Sequence, residues 1–271
     1  MFTRQMVSTF DPGARLQKTH PMRHHRYLSL ILLTVLAFVL GVTGCRSLPR
    51  KLLYFPSHDA RSNGLAEWKA GDRVIGFARI VPQPRNIWLL THGNAGQAAD
   101  RSYALSSFSS DDSVYILEYP GYGLRPGSPS EQSFNAAAQE AYDLLRAQFP
   151  HTPVCAAGES IGTGPASWLG TLPHPPDKIV LIVPFDVLTA VAKGHYPHLP
   201  VGFLLPDNWN NVATLKAYGG PVEIFAAKGD TVIPVGHARA LAASKPGAML
   251  HEFAGGHNDW SRTGSVRIHN P

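Results

Sequence analysis

The sequence predicts an α/β fold in which helices flank a mostly parallel, doubly wound sheet. Short apolar runs recur along the chain without alternating polar residues, as strands covered on both faces require. Segments with apolar residues at helical spacing separate these runs, which is the order of βαβ units. Glycine-rich loops with polar residues follow several runs, and such loops carry the function of a rigid scaffold.

The predicted elements alternate along the chain in the order that builds parallel strands. A strand starts at Val154 and runs into a sharp turn, after which a helix begins. Ser130 is a suitable N-cap for the helix that precedes this strand. The other predicted strands cover 73–81, 86–91, 113–118, 178–183, 221–227 and 248–253, and further helices cover 130–149 and about 235–244.

Residues 1–44 have the pattern of an export signal. Basic residues from Arg23 to Arg26 precede an apolar run over 27–40, which is short for a membrane span and typical of a signal h-region. The run ends in Val-Thr-Gly before Cys45, which resembles a bacterial lipobox. That resemblance implies cleavage before Cys45 and acylation of it, and two or three acyl chains hold a protein stably on a bilayer. We therefore expect a lipidated tether over 45–62 and one α/β domain over 63–271.

Alternatives accompany this prediction. The alternative to a cleaved signal is that the apolar run forms an uncleaved anchor helix. The alternative to acylation is that Cys45 forms a disulfide with Cys155, the other cysteine of the chain. The first 21 residues are unlike a signal n-region, so we expect the native start at Met22. Arg46 stands where an aspartate would be associated with inner-membrane retention, which favours the outer membrane, on the periplasmic side, in a Gram-negative organism.

The charge distribution excludes a basic binding domain. The net charge of +5 is concentrated in residues 1–44, where five basic residues oppose Asp11. The remainder is close to neutral, so we expect no nucleic-acid partner. No group of histidines, cysteines and acids has zinc-type spacing along the chain, so we also expect no metal.

The sharp turn after the strand at Val154 carries Gly158-x-Ser160-x-Gly162. A serine at the tip of a strand-to-helix turn adopts a strained conformation that exposes its Oγ, and its neighbours two residues away must be nearly free of side chain. The following helix directs its N-terminal N–H groups at the same point. Ser160 is therefore the candidate nucleophile, although the motif alone is a weak signal.

A second glycine-rich loop, 92–96, follows the apolar run at 86–91. Acyl transfer needs two backbone N–H donors aimed at one point, and we assign these to Asn94 and to Ile161, the residue after the nucleophile. The alternatives for the loop are a phosphate site or a plain turn, but neither a Walker sequence nor G-x-G-x-x-G is present. His92 is expected to form structural hydrogen bonds rather than to act as a base.

Two further residues complete a set of catalytic types. Asp230 follows the strand-like run at 221–227, and His257 follows the last run within a glycine-rich loop that can return it toward Ser160. The chain order serine, acid, histidine is that of the α/β-hydrolase triad. Asp186 and Asp207 are alternative acids, whereas Asp259 is too close to the histidine in sequence.

The chain resembles the α/β-hydrolase fold and, within it, the Bem46-like group of serine hydrolases. The resemblance extends from about Leu52 to Trp260 and implies a hydrolase without a cofactor. The tail after Trp260 is shorter and more polar than the usual closing helix. The matching segments are 92–96, 119–123, 158–162, 184–186, 229–234 and 256–257.

The mechanism expected from these residues is acyl transfer. Ser160 attacks an acyl carbonyl, His257 takes its proton, and Asp230 orients the imidazole, while Asn94 and Ile161 stabilise the oxyanion. We expect this single domain to act as a monomer and to hydrolyse small carboxylic esters or thioesters. The alternatives are a peptidase or amidase on the same fold, for which a large extra domain is missing, and a tethered binding module without activity.

The substrate side of the fold is less well defined by sequence. Tyr119 and Tyr122 follow the strand at 113–118 and are candidates for the pocket rim, with packing as the alternative. The sizeable insertion near the strand ends, at about 186–219, is expected to form a small cap over an open site.

Overall fold

The computed structural model describes residues 47–262 and 264–271. The predicted signal peptide and Cys45 lie outside the described residues. Within them, no helix combines the length and apolarity that crossing a bilayer requires. The tether predicted over 45–62 therefore enters the description at Ser47, two residues after Cys45.

The described strands build a central sheet and a small side sheet. They are β1 (Phe55–Pro56), β2 (Ala66–Ala70), β3 (Arg73–Arg79), β4 (Ile87–Thr91), β5 (Ala95–Gly96), β6 (Ser113–Leu117), β7 (Val154–Glu159), β8 (Ile179–Ile182), β9 (Val222–Ala227) and β10 (Met249–Phe253). The central sheet has the order β10-β9-β8-β7-β4-β6-β3-β2, and β1 pairs with β5. From β10 to β6 all pairs are parallel, whereas β3 pairs antiparallel with both neighbours.

The described helices lie between these strands. They are α1 (Ser47–Leu53), α2 (Glu131–Gln148), α3 (Thr163–Trp168), α4 (Leu188–His195), α5 (Val201–Leu204), α6 (Asn211–Ala217) and α7 (Val235–Ser244), with a long 3₁₀ segment over Ala98–Ser107. Ser130 caps α2 as predicted, because its hydroxyl accepts from Ser133 N while the Ser133 hydroxyl accepts from Ser130 N.

The interior strands are covered on both faces. Every residue of β4, β6, β7, β8 and β9 is buried. Successive residues of β4 enter different apolar clusters: Leu89 packs in one, and Trp88 and Leu90 pack in the other. Continuous apolar runs are what two-sided burial requires, so the predicted architecture, a mostly parallel sheet flanked by helices, is confirmed.

The segment between β8 and β9, where the sequence predicts a cap, forms α4, α5 and α6, and it is called the cap below. An isolated bridge between Val187 and Asn210 closes its base. Asp207 joins the cap to α1, because its carboxylate accepts two hydrogen bonds from the Arg50 guanidinium, at 2.9 and 3.0 Å, and one from the Tyr54 hydroxyl at 3.0 Å. Burial, together with the nearby Asp207 charge, raises the pKa of Tyr54. The start of the described chain is thus fixed to the cap.

The C-terminal tail is held by an extended backbone rather than by a closing helix. Val266 and Ile268 are buried, and Ile268 N donates to Ser107 O at 2.9 Å. The fully buried carboxylate of Glu223 accepts from Lys178 Nζ at 2.7 Å and from His269 Nδ1 at 2.5 Å. Lys178 also donates to the His269 carbonyl. These contacts replace the packing that a helix would supply.

We predict that this tail contact depends on pH through Glu223. Burial alone would raise the pKa of Glu223, but hydrogen bonds from Lys178 and His269 outweigh it and lower that pKa. A lowered pKa in the folded state stabilises the fold above the ordinary carboxyl range, and this contribution is lost as pH falls through the lowered value. Urea unfolding at pH 6 and at pH 3, on either side of the ordinary glutamate pKa of about 4.3, should show a smaller loss of stability for Glu223→Gln than for the parent.

The same substitution has a second expected effect. At neutral pH, Glu223→Gln leaves the buried Lys178 ammonium without its counter-charge and should lower the free energy of unfolding by about 3 kcal/mol. Glu252→Gln is the matched control, because Glu252 pairs with Arg239 at the surface. An unchanged pH profile in Glu223→Gln would contradict the prediction.

Candidate active site

The turn after β7 adopts the strained conformation that the sequence predicts. Ser160 has φ +54°, a left-handed value that costs a non-glycine residue about 1–2 kcal/mol. A Cβ on Gly158 would lie 2.5 Å from Gly162 O, and a Cβ on Gly162 would lie 2.1 Å from Thr91 O. Both positions therefore require glycine, since β4 and α3 press against the turn from two sides.

Three strand ends bring Ser160, His257 and Asp230 into one line of hydrogen bonds. The Ser160 hydroxyl lies 2.9 Å from His257 Nε2, and His257 Nδ1 lies 2.7 Å from Asp230 Oδ2. These residues follow β7, β10 and β9, whose carboxyl ends share one edge of the parallel sheet. All three side chains are mostly buried, and Ser160 as a whole is 9% exposed.

The surroundings of Asp230 determine which nitrogen of His257 carries the proton. Asp230 Oδ1 accepts from the backbone N–H groups of Val232 and Ile233, both at 2.8 Å. These bonds fix the carboxylate with Oδ2 facing the imidazole. A carboxylate can only accept, so His257 Nδ1 donates to it and Nε2 is left to accept from the Ser160 hydroxyl. This is the tautomer that a general base needs.

The loop after β4 lies beside the serine. A Cβ built on Gly93 would lie 3.7 Å from Ser160 Cβ, so the backbone of this loop passes next to the nucleophile. Asn94 is anchored through its side-chain amide, which donates to Leu53 O at 2.8 Å, and through its carbonyl, which accepts from Phe55 N at 2.9 Å. Ile161 follows Ser160 within the short helical segment Ser160–Gly162 and is buried. The assignment of the Asn94 and Ile161 N–H groups as oxyanion donors stays a prediction.

The structure places Tyr119 and Tyr122 beneath this loop instead of at a pocket rim. Both rings are completely buried, and Tyr119 stacks on Phe134 with centroids 3.7 Å apart. Their hydroxyls donate to His92 O at 2.9 Å and to Asn94 O at 2.7 Å. Because these carbonyls belong to the loop, the tyrosines support its backbone. These contacts agree with the packing role that was the alternative for the two tyrosines, and they do not agree with a place at the pocket rim.

His92 is likewise internal. Its side chain is fully buried, and Nδ1 contacts Gly93 O at 2.7 Å, while Nε2 lies 3.7 Å from Glu118 Oε1. No contact connects its ring to Ser160. The ring packs against Tyr119 and Tyr122. These contacts agree with the structural role that the sequence predicts.

The alternative acids are engaged elsewhere. Asp186 Oδ1 accepts from His237 Nδ1 at 2.7 Å, and Asp207 is bound by Arg50 and Tyr54. Asp259 Oδ2 accepts from Gly256 N at 2.8 Å and orders the turn that carries His257. Asp230 is therefore the acid that contacts this histidine.

Glu159 connects the two sides of the site in a way that sequence reasoning did not predict. Its carboxylate accepts from Gly93 N at 3.3 Å, from the Tyr103 hydroxyl at 3.0 Å and from Trp260 Nε1 at 3.3 Å. The Arg101 guanidinium lies 3.4 Å away. The residue before the nucleophile thus joins the loop after β4 to the segment that follows His257.

We predict that Glu159→Gln lowers the stability of the fold. An amide presents two N–H donors where the carboxylate accepts from donors on all sides, so a buried N–H loses its partner and Arg101 loses its counter-charge. We expect the free energy of unfolding to fall by about 3 kcal/mol, measured by urea unfolding at pH 7.

The control for this prediction is Glu131→Gln. Glu131 accepts from Asn208 N at an exposed position, so its amide variant should unfold close to the parent. Equal unfolding midpoints for Glu159→Gln and the parent would show that the carboxylate does not join the two segments energetically.

One group of metal-type ligands comes together among the described residues. Atoms of Glu223, His251 and His269 lie within 4.8 Å of one another at the amino end of β9, opposite the end that leads to Asp230. Sequence spacing did not predict this group, because its members come from β9, β10 and the tail. The carboxylate already accepts from Lys178 and His269, so the group acts in the tail contact described above.

Two concave regions adjoin the carboxyl edge of the sheet. A groove of about 610 Å³ lies on the cap between α4 and α5. A second cavity, of about 440 Å³, lies beside Glu159 and the loop that carries His257, and its lining includes Arg101 and Arg262.

Cys155 is buried in β7, where desolvation raises the pKa of its thiol to about 12 and makes the thiol unreactive.

Comparison with known proteins identifies relatives of this chain. No protein-family model matches it. The uncharacterized protein MT2364 of Mycobacterium tuberculosis is 31% identical over 255 residues, covering 88% of this chain and 90% of that protein. Lysophosphatidylserine lipase ABHD12 of Xenopus tropicalis is 30% identical over 189 residues, covering 62% of this chain. The chain spans about half of that lipase, 49% of its length.

Solved structures share the fold at low identity. Esterase Pf2001 of Pyrococcus furiosus matches with a TM-score of 0.57 at 13% identity, covering 79% of this chain and 96% of the esterase. Est1E of Butyrivibrio proteoclasticus, solved with ferulic acid, matches with a TM-score of 0.56 at 12% identity, covering 68% of this chain and 86% of that one. The chain therefore belongs to the α/β-hydrolase superfamily, in one family with the uncharacterized mycobacterial protein.

Proposed function

We propose that the protein is a serine hydrolase that cleaves carboxylic esters or thioesters through a covalent acyl-enzyme. The observation that carries this proposal is the continuous line of hydrogen bonds from Ser160 through His257 to Asp230, at 2.9 and 2.7 Å. A nucleophile, a base in the accepting tautomer and an acid that orients the base are the parts that acyl transfer needs.

In the first half of the reaction, His257 Nε2 removes the proton from Ser160 as Oγ attacks the carbonyl carbon. The developing oxyanion accepts from the N–H groups of Asn94 and Ile161, and the negative Asp230 stabilises the imidazolium. Collapse of the tetrahedral intermediate breaks the bond to the leaving group, which takes the proton from His257 Nε2. The acyl group remains on Ser160 Oγ.

In the second half, His257 takes a proton from water, and the hydroxide attacks the acyl carbon. The acid product leaves and the proton returns to Ser160 Oγ, so water is the only co-reactant. Esters are placed ahead of amides because lysophosphatidylserine lipase ABHD12 is 30% identical over 189 residues, whereas the acylaminoacyl peptidase of Pyrococcus horikoshii shares the fold at 11% identity. We also place the chain in the Bem46-like group, on the motifs at 92–96, 158–162 and 229–234.

The experiment that tests this function is active-site labelling of the full chain with a fluorophosphonate probe. We expect one adduct, on the peptide that contains Ser160, and turnover of p-nitrophenyl esters that stops as the label accumulates. A comparison of short and long acyl chains then measures the size of the acyl site. Labelling of another residue, or turnover that survives complete labelling, would reject the serine mechanism.

We further propose that the chain is exported and anchored to a membrane through acylated Cys45. The support is the lipobox-like Val-Thr-Gly-Cys that follows the apolar run at 27–40. Growth with an alkyne-bearing fatty acid should label the parent chain and leave Cys45→Ser unlabelled. Equal labelling of the two chains would reject this attachment.

A further inference from the structure

The exposed large apolar side chains of the described residues are concentrated on one part of the surface. Of the twelve large apolar residues that remain exposed among the described residues, eight belong to α1, to β1, to the cap or to loops that follow strands of the central sheet. We call this set the apolar edge. Its members are Leu52, Phe55, Leu124, Tyr196, Leu199, Phe203, Leu204 and Val232.

The backbone places this set at the carboxyl edge of the sheet, beside Ser160. Phe55 is bonded to Asn94 in the loop after β4, and Gly123, which precedes Leu124, donates to Ser57 O. Val232 follows Asp230 after β9, and its carbonyl is contacted by the cap residue His195 at 2.8 Å. Because these loops follow parallel strands at the edge that carries Ser160 and Asp230, and Arg50 of α1 binds Asp207 of the cap, the apolar edge lies on the side of the sheet that carries the triad.

The cap has one face that packs on the fold and another face that carries exposed apolar side chains. In α5, Val201 is 8% exposed and packs inward, whereas Phe203 is 79% exposed and Leu204 is 43% exposed. In α4, Leu188 and Val191 are buried, while Tyr196 just beyond the helix is 59% exposed. Contiguous exposed apolar residues of this kind mark a surface that binds a partner.

We propose that the apolar edge docks on a lipid bilayer, so that the opening of the active site faces the membrane and receives esters carried in it. The described fold starts at this edge, because α1 is fixed to the cap by Arg50 and Asp207. The chain that precedes α1 contains the apolar run at 27–40 and ends at Arg46. Whatever attaches that segment to a membrane therefore joins the fold beside the active site.

The charge of the same edge complements a bilayer. Lys51, Lys193 and Lys228 are exposed beside the apolar side chains, and lysines near an anionic membrane surface strengthen binding. Apolar side chains flanked by basic residues are the composition of a surface that enters the interface between headgroups and acyl chains.

The test of docking measures fluorescence and not turnover. The docking proposal can therefore be rejected while the proposed hydrolase activity stands, and the hydrolase activity can be rejected while docking stands. The full chain is reconstituted in vesicles of phosphatidylcholine and phosphatidylglycerol, with or without brominated acyl chains, which quench tryptophan fluorescence on contact. The variants are Phe203→Trp and Leu124→Trp at the apolar edge, with Met249→Trp as the control. Met249 is also exposed, at 45%, but it begins β10 at the opposite edge of the sheet.

We expect brominated lipid to lower the added fluorescence of Phe203→Trp and Leu124→Trp by about twofold, relative to the parent chain, and to leave Met249→Trp unchanged. Equal quenching of all three variants, or of none, would overturn the proposal. Edge tryptophans that are shielded from acrylamide before vesicles are added, and that do not respond to brominated lipid, would also overturn it, because another protein segment would then cover the edge.

Discussion

Replacing Ser160 by alanine should lower kcat for ester hydrolysis by a factor on the order of 10⁶, with the residual rate set by the oxyanion donors and binding alone. Only the hydroxyl is removed, and the contacts that hold the turn do not involve it. Gly158 and Gly162 remain pressed against their neighbours, and His257 keeps its bond to Asp230. The loss is therefore expected in turnover and not in folding.

The control is Ser167→Ala, a buried serine in α3 whose hydroxyl has no hydrogen-bond partner among the described residues. It should retain turnover within about twofold of the parent, since no bond is lost. Initial rates on a p-nitrophenyl ester, together with urea unfolding of each variant, separate chemistry from stability. A Ser160→Ala protein that is folded and as active as the parent would mean that the ester is cleaved without this nucleophile.

The fold could be predicted because burial on both faces leaves a direct sequence pattern. β4, β6 and β8 are almost entirely apolar, β9 is apolar apart from Glu223, and their observed bounds differ from the predicted ones only at the ends. The two-residue strands β1 and β5 are too short to show any period, so sequence could not predict their pairing. The packing of the tail could not be predicted either, because isolated residues such as Val266 and Ile268 are buried without a repeating sequence pattern.

The candidate site divides in the same way. Ser160, Asp230 and His257 follow apolar runs in glycine-rich loops, so residue type, position and chain order pointed to them before their distances were known. Tyr119 and Tyr122 also follow a strand end, but their hydroxyls donate to backbone carbonyls inside the fold. A strand-end position predicts nearness to the site, and it does not predict which way a side chain turns.

The partners of Glu159 show the other limit. Tyr103 and Trp260 lie far from it in sequence, and neither belongs to a motif. Their contacts arise only when the 3₁₀ segment after β5 and the loop after β10 pack against each other, with the Tyr103 and Trp260 ring centroids 5.7 Å apart beside the Glu159 carboxylate. A glutamate before a nucleophilic serine could be predicted to be near the site, but its hydrogen-bond partners depend on tertiary packing.

Replacing Asp230 by asparagine should lower kcat by a factor on the order of 10⁴. The N–H groups of Val232 and Ile233 hold Oδ1 as an acceptor, so the asparagine carbonyl takes that position and its NH₂ group faces His257 Nδ1. Nδ1 must then accept, which moves the imidazole proton to Nε2. A protonated Nε2 cannot accept the proton of Ser160, so the base is lost while the shape of the site is kept.

Asp186→Asn is the matched control, since Asp186 follows β8 at the same edge and also binds a histidine, His237, at 2.7 Å. The tautomer argument requires a contact with His257, which Asp186 lacks, so this variant should keep kcat within about threefold of the parent. Steady-state rates over pH 6 to pH 9 test both variants, because loss of the general base lowers the rate throughout this range. A greater loss in Asp186→Asn than in Asp230→Asn would transfer the orienting role to the acid after β8 and would require His257 to change its partner.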